Sequence, residues 1–204
     1  MRIEEEINGI GIVCETGEYY FSPKGVDLGT RRMLETIPIV EGDKVLDLGC
    51  GYGVVSIYAA KTVGGENVVM CDIAEEAVAL SQGNLALNGI EGVRVLQSDG
   101  LRDVPDGDFT LILSNPPYHT DFSVAKEFIE DGFRKLAVGG RMAMVTKRLE
   151  WYRNKLKAVF GGVKVFEAGE YFIFLSEKRT ARVEKAKKNT QTMSKKLQRK
   201  YGKK

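Results

Sequence analysis

Histidine and cysteine are scarce in this sequence, which narrows the chemistry that the protein can perform. His119 is the only histidine among 204 residues, which argues against a His-rich metal site or a conventional catalytic triad. The three cysteines, Cys14, Cys50 and Cys71, are odd in number and have no CxxC spacing. They indicate neither a disulfide framework nor a zinc site, and they are typical of a reducing, cytoplasmic compartment.

Long apolar runs and an export signal are also lacking. No stretch approaches the roughly 18 apolar residues that would indicate a membrane span. The amino terminus, MRIEEEI, is acidic, whereas a signal peptide begins with basic residues. Hydrophobic residues make up 43% of the chain and charged residues 28%, which is the balance of a soluble globular protein. We expect one cytoplasmic domain with a full core, as a monomer or a homodimer.

Charge is distributed unevenly along the chain. The formal net charge is +2, but residues 178–204 carry 12 Lys and Arg side chains against one acid, Glu184. The other 177 residues carry 18 basic and 27 acidic side chains, a net charge of −9. This basic tail predicts a polyanionic partner such as RNA, with a solubilising or disordered terminus as the alternative. It lacks proline, and its spaced apolar residues predict a basic helix with one narrow apolar stripe.

The order of strand and helix patterns indicates an α/β fold. From Lys44 onward, short apolar runs alternate with helical patterns, and the last two strands turn at Ala168-Gly169. This alternation predicts a doubly wound, seven-stranded, mostly parallel, Rossmann-like sheet with one antiparallel strand at its end. Within it, Gly139-Gly140 are expected to separate a helix over 123–137 from a strand over 142–146.

An amino-terminal extension precedes the predicted sheet. Residues 7–22 alternate around Glu15-Thr16-Gly17, which predicts a β-hairpin, and a helix is expected near 31–37. The predicted organisation has three parts, which are an extension over 1–40, an α/β domain over 41–177 and the tail over 178–204.

The stretch DFTLILSNPPYH, residues 108–119, joins a buried strand to a stiff corner. Two prolines cannot continue a sheet ladder, and a residue before proline is held extended. Asn115 offers a side-chain carbonyl, Pro116 a backbone carbonyl and Tyr118 an aromatic face. Two acceptors beside a stacking surface suit a planar group that carries an amine. The alternative is a proline-rich turn after a core strand.

Acidic residues lie at or near the ends of three other predicted strands. Asp47 precedes the glycine-rich turn 49–53, where a carboxylate would repel a pyrophosphate but attract an ammonium group. Asp72 is placed to bind a ribose diol, and Asp99 can accept a hydrogen bond from an adenine amino group. An ammonium, a ribose and an adenine together describe S-adenosylmethionine.

These motifs resemble those of a known enzyme family. DLGCGYG, Asp72, the Ser98-Asp99 pair and NPPY are similar to class I S-adenosylmethionine-dependent methyltransferases that act on exocyclic amines. The box FSPKGVDLGT and the extended NPPYH further resemble the methyltransferase small domain of ribosomal-RNA guanine-N2 methyltransferases. The likeness covers about residues 19–176. The chain differs from the bacterial enzymes in lacking their duplicated amino-terminal half and in carrying the basic tail.

The resemblance implies a role for each motif. Asn115 and the Pro116 carbonyl would accept the two amino hydrogens of the target, and Tyr118 would stack on the base. Orientation and electrostatics would supply most of the rate, without a metal and without a strong general base. The implied cofactor-binding residues are Asp47, Gly49, Gly51, Tyr52, Gly53, Asp72, Ile73, Ser98, Asp99 and Asn115.

Several further residues are candidates for substrate contacts, each with a plainer alternative. Asp27 and Thr30 would line the mouth of the site or cap a loop, and His119 would touch the substrate or lie on a surface loop. Tyr52 would cover the cofactor or lie in the core. The basic candidates for RNA phosphates, or ordinary solvated charges, are Arg31, Arg32, Lys147, Arg148, Lys187, Lys188, Lys195, Lys196 and Arg199.

The sequence thus favours an RNA base-amine methyltransferase, with guanine N2 of ribosomal RNA as the leading target. Release-factor glutamine methyltransferases also carry NPPY, but no room remains here for their amino-terminal helical domain. DNA adenine-N6 methylation is a further alternative, although no target-recognition domain is evident. From another class, a non-catalytic RNA-binding assembly factor would keep only the fold.

Overall fold

Strands and helices alternate through most of the chain. The computed structural model describes residues 1–17, 25–117 and 122–181. The elements in chain order are β1 (Arg2–Ile7), β2 (Ile10–Glu15), α1 (Leu28–Thr36), β3 (Val45–Leu48), α2 (Val54–Val63), β4 (Val68–Asp72), α3 (Glu75–Leu87), β5 (Arg94–Gln97), β6 (Phe109–Ser114), α4 (Phe122–Lys135), β7 (Leu136–Thr146), α5 (Leu149–Phe160), β8 (Lys164–Ala168) and β9 (Tyr171–Glu177).

Seven of these strands form one sheet in the order β5-β4-β3-β6-β7-β9-β8. The pairs from β5 to β7 are parallel, and β9 is antiparallel to both β7 and β8. The sheet is therefore doubly wound with a single reversed strand, which confirms the fold class that the sequence predicts.

The sheet is buried on both faces. Consecutive side chains of a strand point to opposite faces, so Val45 packs into one core and Leu46 into the other. The first core also contains residues of α1, α2, α3 and the β1–β2 hairpin, and the second contains residues of α4 and α5. Burial on both faces explains why β3 reads as a continuous apolar run interrupted only by Asp47.

The amino-terminal hairpin exists, but its predicted turn is wrong. β1 and β2 pair in antiparallel register, and the connection is Asn8-Gly9, whose φ angles of 49° and 79° are both positive. Asn-Gly is the dipeptide that two-residue hairpins favour for that reason. Glu15 ends β2 instead of opening a turn, and the part of the predicted hairpin over 18–22 lies outside the described residues.

Asn84 of α3 and Asn88, the C-cap residue of that helix, form hydrogen bonds with β2 like those of a neighbouring strand. The Asn88 side-chain amide bonds to both backbone groups of Val13, and the Asn84 amide bonds to both backbone groups of Glu15. The spacing of about one helical turn between Asn84 and Asn88 therefore matches the spacing of two residues between Glu15 and Val13 on β2. This pairing satisfies backbone groups that would otherwise lie unpaired at a sheet edge.

The strand predicted over 142–146 is longer than expected. β7 begins at Leu136, directly after α4, and its pairing with β6 shifts register between Phe109 and Leu111. The extra residues include Gly139-Gly140, and a Cβ on Gly140 would lie 2.7 Å from the carbonyl oxygen of Phe109. The glycines thus form an irregularity inside a strand and do not separate a helix from a strand.

The first residue of the predicted tail belongs to the folded body. The backbone of Lys178 exchanges two hydrogen bonds of 2.8 Å with Gly139 and Gly140. Its buried ammonium donates to the carbonyl of Leu136 and lies over the ring of Phe133. The rest of the predicted basic helix, residues 182–204, lies outside the described residues. In the described part of the chain, no helix has the length and apolar character needed to cross a membrane.

Candidate active site

A cavity of about 410 Å³ opens at the carboxyl edge of the parallel strands. β3 and β6 are neighbours there, and the chain continues from them toward opposite ends of the sheet. Such a switch point is where open α/β sheets bind ligands. The predicted site residues that line this cavity are Asp27, Thr30, Asp47, Gly49, Gly51, Tyr52, Asp72, Ile73, Ser98, Asp99, Asn115 and Pro116.

Asp47 lies at the bottom of the cavity with only 2% of its surface exposed. Its Oδ2 accepts hydrogen bonds from the backbone N–H of Ser56 at 3.0 Å and from the Ser56 hydroxyl at 2.7 Å. Burial raises the pKa of Asp47 to about 7, although the Ser56 hydrogen bonds oppose that shift. A cationic group beside this buried carboxyl would favour its ionised form and would be bound by it through a strong electrostatic attraction.

The glycines of the turn after β3 have two different structural roles. Gly51 has a φ of 54°, and its backbone N–H donates to Asp72 Oδ2 at 2.9 Å, so the turn and the next strand end are joined. Gly53 is not among the residues that line the cavity. Its φ is 93°, and a Cβ there would lie 3.2 Å from the Cβ of Ser81, so both the backbone conformation and close packing against α3 favour glycine.

Asp72 and Asp99 lie on the rim of the cavity. Both oxygens of Asp72 accept backbone N–H groups, Oδ2 from Gly51 and Oδ1 from Ala74 at 3.0 Å. Asp99 is about half exposed and forms an ion pair with Arg102. Ser98 connects the two strand ends, because its backbone N–H donates to the carbonyl of Asp72 at 2.9 Å.

An apolar wall from α4 completes the cavity, and sequence reasoning missed it. Val124 and Phe128 line the cavity one helical turn apart, and the Phe128 ring lies beside Gly49 and Gly100. Both residues fit the apolar stripe of an amphipathic helix, a pattern that does not separate core positions from the wall of a ligand site. Exposed Ile73 lies on the same cavity.

The cavity thiols are not nucleophiles. Cys50 and Cys71 both line the cavity. Burial raises the pKa of Cys71 to about 12 and raises that of Cys50 well above its ordinary value. Both thiols stay protonated at neutral pH, so they contribute packing and not covalent catalysis.

The side chain of Asn115 forms hydrogen bonds with two residues of the amino-terminal segment. Its Nδ2 donates to Asp27 Oδ2 at 2.8 Å and to Thr30 Oγ1 at 2.9 Å. Asp27 is also the N-cap of α1, where the same Oδ2 accepts the backbone N–H of Thr30 at 2.8 Å. The two alternatives for Asp27, lining the site and capping, are therefore both realised. Tyr52 is likewise both buried and part of the lining.

The basic candidates near the strand ends are engaged elsewhere. Lys147 forms an ion pair with Glu170, and neither Lys147 nor Arg148 is among the residues lining the cavity. Arg31 pairs with Glu5 at 2.5 Å, and Arg32 pairs with Glu35 at 2.9 Å. The remaining candidates, Tyr118, His119, Lys187, Lys188, Lys195, Lys196 and Arg199, lie outside the described residues.

Sequence comparisons agree with this architecture. The profile of the methyltransferase small domain family matches residues 12–176. The ribosomal RNA small subunit methyltransferase C of Shewanella amazonensis is 37% identical over 164 residues, which are 78% of this chain and 47% of that protein. The Escherichia coli protein of the same name is 34% identical over 83% of this chain and 50% of its own length. The chain spans about half the length of the curated relatives it matches.

Solved structures show the same fold. The T. thermophilus 16S rRNA N2 G1207 methyltransferase, in complex with AdoMet and guanosine, superposes with a TM-score of 0.80 and 26% identity. The match covers 88% of this chain and 50% of that one. A methyltransferase from Pyrococcus furiosus shares the fold with a TM-score of 0.67 at 22% identity, over 83% of this chain and 90% of its own. Because the family profile covers most of the sequence and the sheet carries the expected topology, the chain belongs to the methyltransferase small domain family.

Proposed function

We propose that this protein is an S-adenosylmethionine-dependent N-methyltransferase that acts on an exocyclic base amine of ribosomal RNA, with guanine N2 as its target. One observation carries the proposal, which is that Asp47, Asp72 and Asn115 line a single cavity at the switch point of the sheet. Residues 41–177 would be the catalytic domain, working in the cytoplasm where ribosomal RNA is modified.

The lining of the cavity fits the cofactor. Its volume of about 410 Å³ falls in the range of small-molecule sites. Buried Asp47 offers the negative charge that an ammonium group requires, and Asp72 offers carboxylate oxygens to a ribose diol. Asp99 and the apolar side chains of Ile73 and Phe128 suit the amino edge and the flat faces of an adenine. When bound, the cofactor supplies an electrophilic methyl group.

Asn115 and Pro116 form the acceptor half of the site. The Asn115 side-chain oxygen and the Pro116 carbonyl would each accept one hydrogen of the target amine, which aims the nitrogen lone pair along one direction. Pro116 is buried, so its carbonyl is held in a fixed place. Tyr118 would stack on the base. Alignment of this kind replaces acid–base catalysis as the main source of rate.

The choice of substrate rests on the relatives and on charge. Relatives at 37% and 34% identity are named as ribosomal RNA small subunit methyltransferases, and the solved relative is in complex with AdoMet and guanosine. The ten Lys and Arg side chains of residues 182–204 suit a phosphate backbone. A paired target base would have to be flipped out of its helix to reach the cavity.

Nucleoside analysis tests the proposal. Ribosomal RNA is incubated with the protein and labelled cofactor, digested, and separated into nucleosides, and we expect the label in N2-methylguanosine. Label in N6-methyladenosine, or in a protein glutamine after incubation with release factor, would replace guanine as the target. Absence of cofactor binding by calorimetry would favour a non-catalytic RNA-binding factor that keeps only the fold, and it would contradict the proposal.

A further inference from the structure

Asp47 connects the cavity to the amino terminus of α2. Gly53 precedes that helix and offers no side-chain cap, although the first N–H groups of a helix need acceptors from outside it. Ser56 is the third residue of α2, and its backbone N–H donates to Asp47 Oδ2 at 3.0 Å. A carboxyl group of β3 therefore takes the role that an N-cap side chain has in other helices.

The Ser56 hydroxyl donates a second hydrogen bond to the same oxygen, at 2.7 Å. Among the described residues, both hydrogen bonds of the Asp47 carboxyl come from Ser56 and both end on Oδ2. Two bonds to one oxygen fix the position of that oxygen, and they make Oδ1 the oxygen that can bind a ligand. Ser56 is fully buried and is not among the residues that line the cavity, so it lies behind the carboxyl.

The groups that face Asp47 from other elements do not offer it a positive charge. Asp72 of β4 is acidic, the thiols of Cys50 and Cys71 stay protonated at neutral pH, and β6 has no titratable side chain. Burial raises the pKa of Asp47, the two hydrogen bonds from Ser56 lower it, and Asp72 adds a smaller rise. Within the described part of the chain, Ser56 is therefore the residue that favours the charged carboxylate.

We infer that Ser56 is a positioning residue for the ammonium group of the cofactor. Its backbone N–H and its hydroxyl hold Asp47 Oδ2 and favour the charged carboxylate, while Oδ1 binds the ammonium. The inference rests on the proposed function, and it adds a residue behind the cavity wall that sets the pH range in which the cofactor binds.

Two ligands separate an effect at the ammonium from a general effect on the cavity. S-adenosylhomocysteine carries the ammonium and has no methyl group to transfer. 5′-Methylthioadenosine keeps the adenine, the ribose and the sulfur but lacks the amino-acid portion. A loss of affinity that is confined to S-adenosylhomocysteine places the effect of Ser56 at the ammonium, whereas a distorted cavity would weaken both ligands.

Three substitutions test the hydroxyl. Ser56→Ala removes it and keeps the backbone N–H, and Ser56→Cys replaces it with a weaker donor of similar size. Thr62→Val is the control in the same helix. It removes a hydroxyl that donates to the carbonyl of Tyr58 at 2.9 Å, at a position outside the lining of the cavity.

The full-length variants are compared by calorimetry at about pH 6.5 and about pH 8. For Ser56→Ala we expect affinity for S-adenosylhomocysteine to fall about tenfold at the lower pH and about twofold at the higher one, as for a carboxyl whose pKa of about 7 rises by about one unit. Ser56→Cys should give the same trend with a smaller loss. Affinity for 5′-methylthioadenosine should stay within about twofold of wild type in every variant, as should both affinities in Thr62→Val.

Other results would overturn the inference. Wild-type affinity for S-adenosylhomocysteine in Ser56→Ala at about pH 6.5 would do so, as would equal losses at the two pH values. An equal loss of affinity for 5′-methylthioadenosine, or the same losses in Thr62→Val, would assign the effect to the packing of α2. If the wild-type protein binds neither ligand, the proposed function itself fails.

Discussion

Asn84 of α3 donates a 2.8 Å hydrogen bond to the carbonyl of Tyr52, in the glycine-rich turn, while its amide also pairs with Glu15 of β2. One buried side chain therefore joins the amino-terminal hairpin to the wall of the candidate active site. The hairpin has a direct connection to the cavity, although none of its residues lines it.

This connection predicts different effects for two neighbouring asparagines. Asn84→Ala removes the partner of the buried Tyr52 carbonyl and of the part-buried backbone groups of Glu15, and it should lower the free energy of unfolding by about 2 to 4 kcal/mol. It should also weaken cofactor binding, because Tyr52 lines the cavity. Asn88→Ala breaks the matching pair with Val13 and should cost about 1 to 2 kcal/mol with cofactor affinity intact. Denaturant unfolding and calorimetry give both quantities, and equal cofactor affinity in the two variants would remove the proposed connection.

Cofactor affinity should depend on pH through Asp47. The pKa of this carboxyl is about 7 in the free protein because it is buried, and binding an ammonium requires the ionised form. Affinity should therefore rise by up to about tenfold per pH unit below pH 7 and fall again above about pH 8, where the cofactor's own amino group loses its proton. Calorimetry between pH 5.5 and 9 measures the profile. If cofactor affinity still rises with pH below pH 7 in Asp47→Asn, another group and not Asp47 causes the rise.

The same pKa predicts that Asp47 destabilises the ligand-free fold. The folded value of about 7 exceeds the ordinary 3.8, so the native state holds its proton more tightly than the unfolded chain. The contribution of Asp47 to stability is then fully present below pH 3.8 and is lost as the pH rises toward 7. Asp47→Asn should escape this loss and gain about 2 to 4 kcal/mol at pH 8, with a smaller gain at pH 5. Chemical unfolding at both values tests the trend, which a constant or reversed difference would contradict.

The basic tail should affect RNA binding and nothing else. Truncation after residue 181 removes ten Lys and Arg side chains but keeps Lys178, whose contacts belong to the folded body. RNA affinity should fall, and the slope of log Kd against log salt should flatten by about 0.7 for each lost phosphate contact. Filter binding at several salt concentrations measures the slope, and calorimetry should find cofactor affinity unchanged. An unaltered slope would mean that the tail makes no phosphate contacts.

The strand ends could be predicted from the sequence because parallel strands end at one edge of a sheet. Asp47, Asp72, Asp99 and Asn115 lie at or near the carboxyl ends of apolar runs, and the strand pattern is enough to bring them together. Asn8-Gly9 is a favourable dipeptide for a hairpin turn. The three consecutive glutamates in β1 hide the alternation of a strand before it, so the pattern predicts the wrong turn.

Contacts between distant segments could not be predicted in the same way. Nothing in the pattern of residues indicates that Asp27 and Thr30 bond to Asn115, or that Asn84 and Asn88 pair with β2, since those contacts depend on how α1 and the hairpin pack. The position of Val124 and Phe128 on the cavity could not be predicted for another reason. An apolar stripe on α4 has the same spacing whether it faces a core or a cofactor.

The central claim is that one cavity brings the cofactor's methyl group to an amine held by Asn115. The most direct test is nucleoside analysis of ribosomal RNA after reaction with labelled S-adenosylmethionine, for the wild-type protein and for Asn115→Ala, with cofactor affinity measured in parallel. The account predicts labelled N2-methylguanosine from the wild type, and a loss of at least about a hundredfold in the variant with cofactor affinity nearly unchanged. Full turnover by Asn115→Ala, or no labelled base from the wild type, would contradict it.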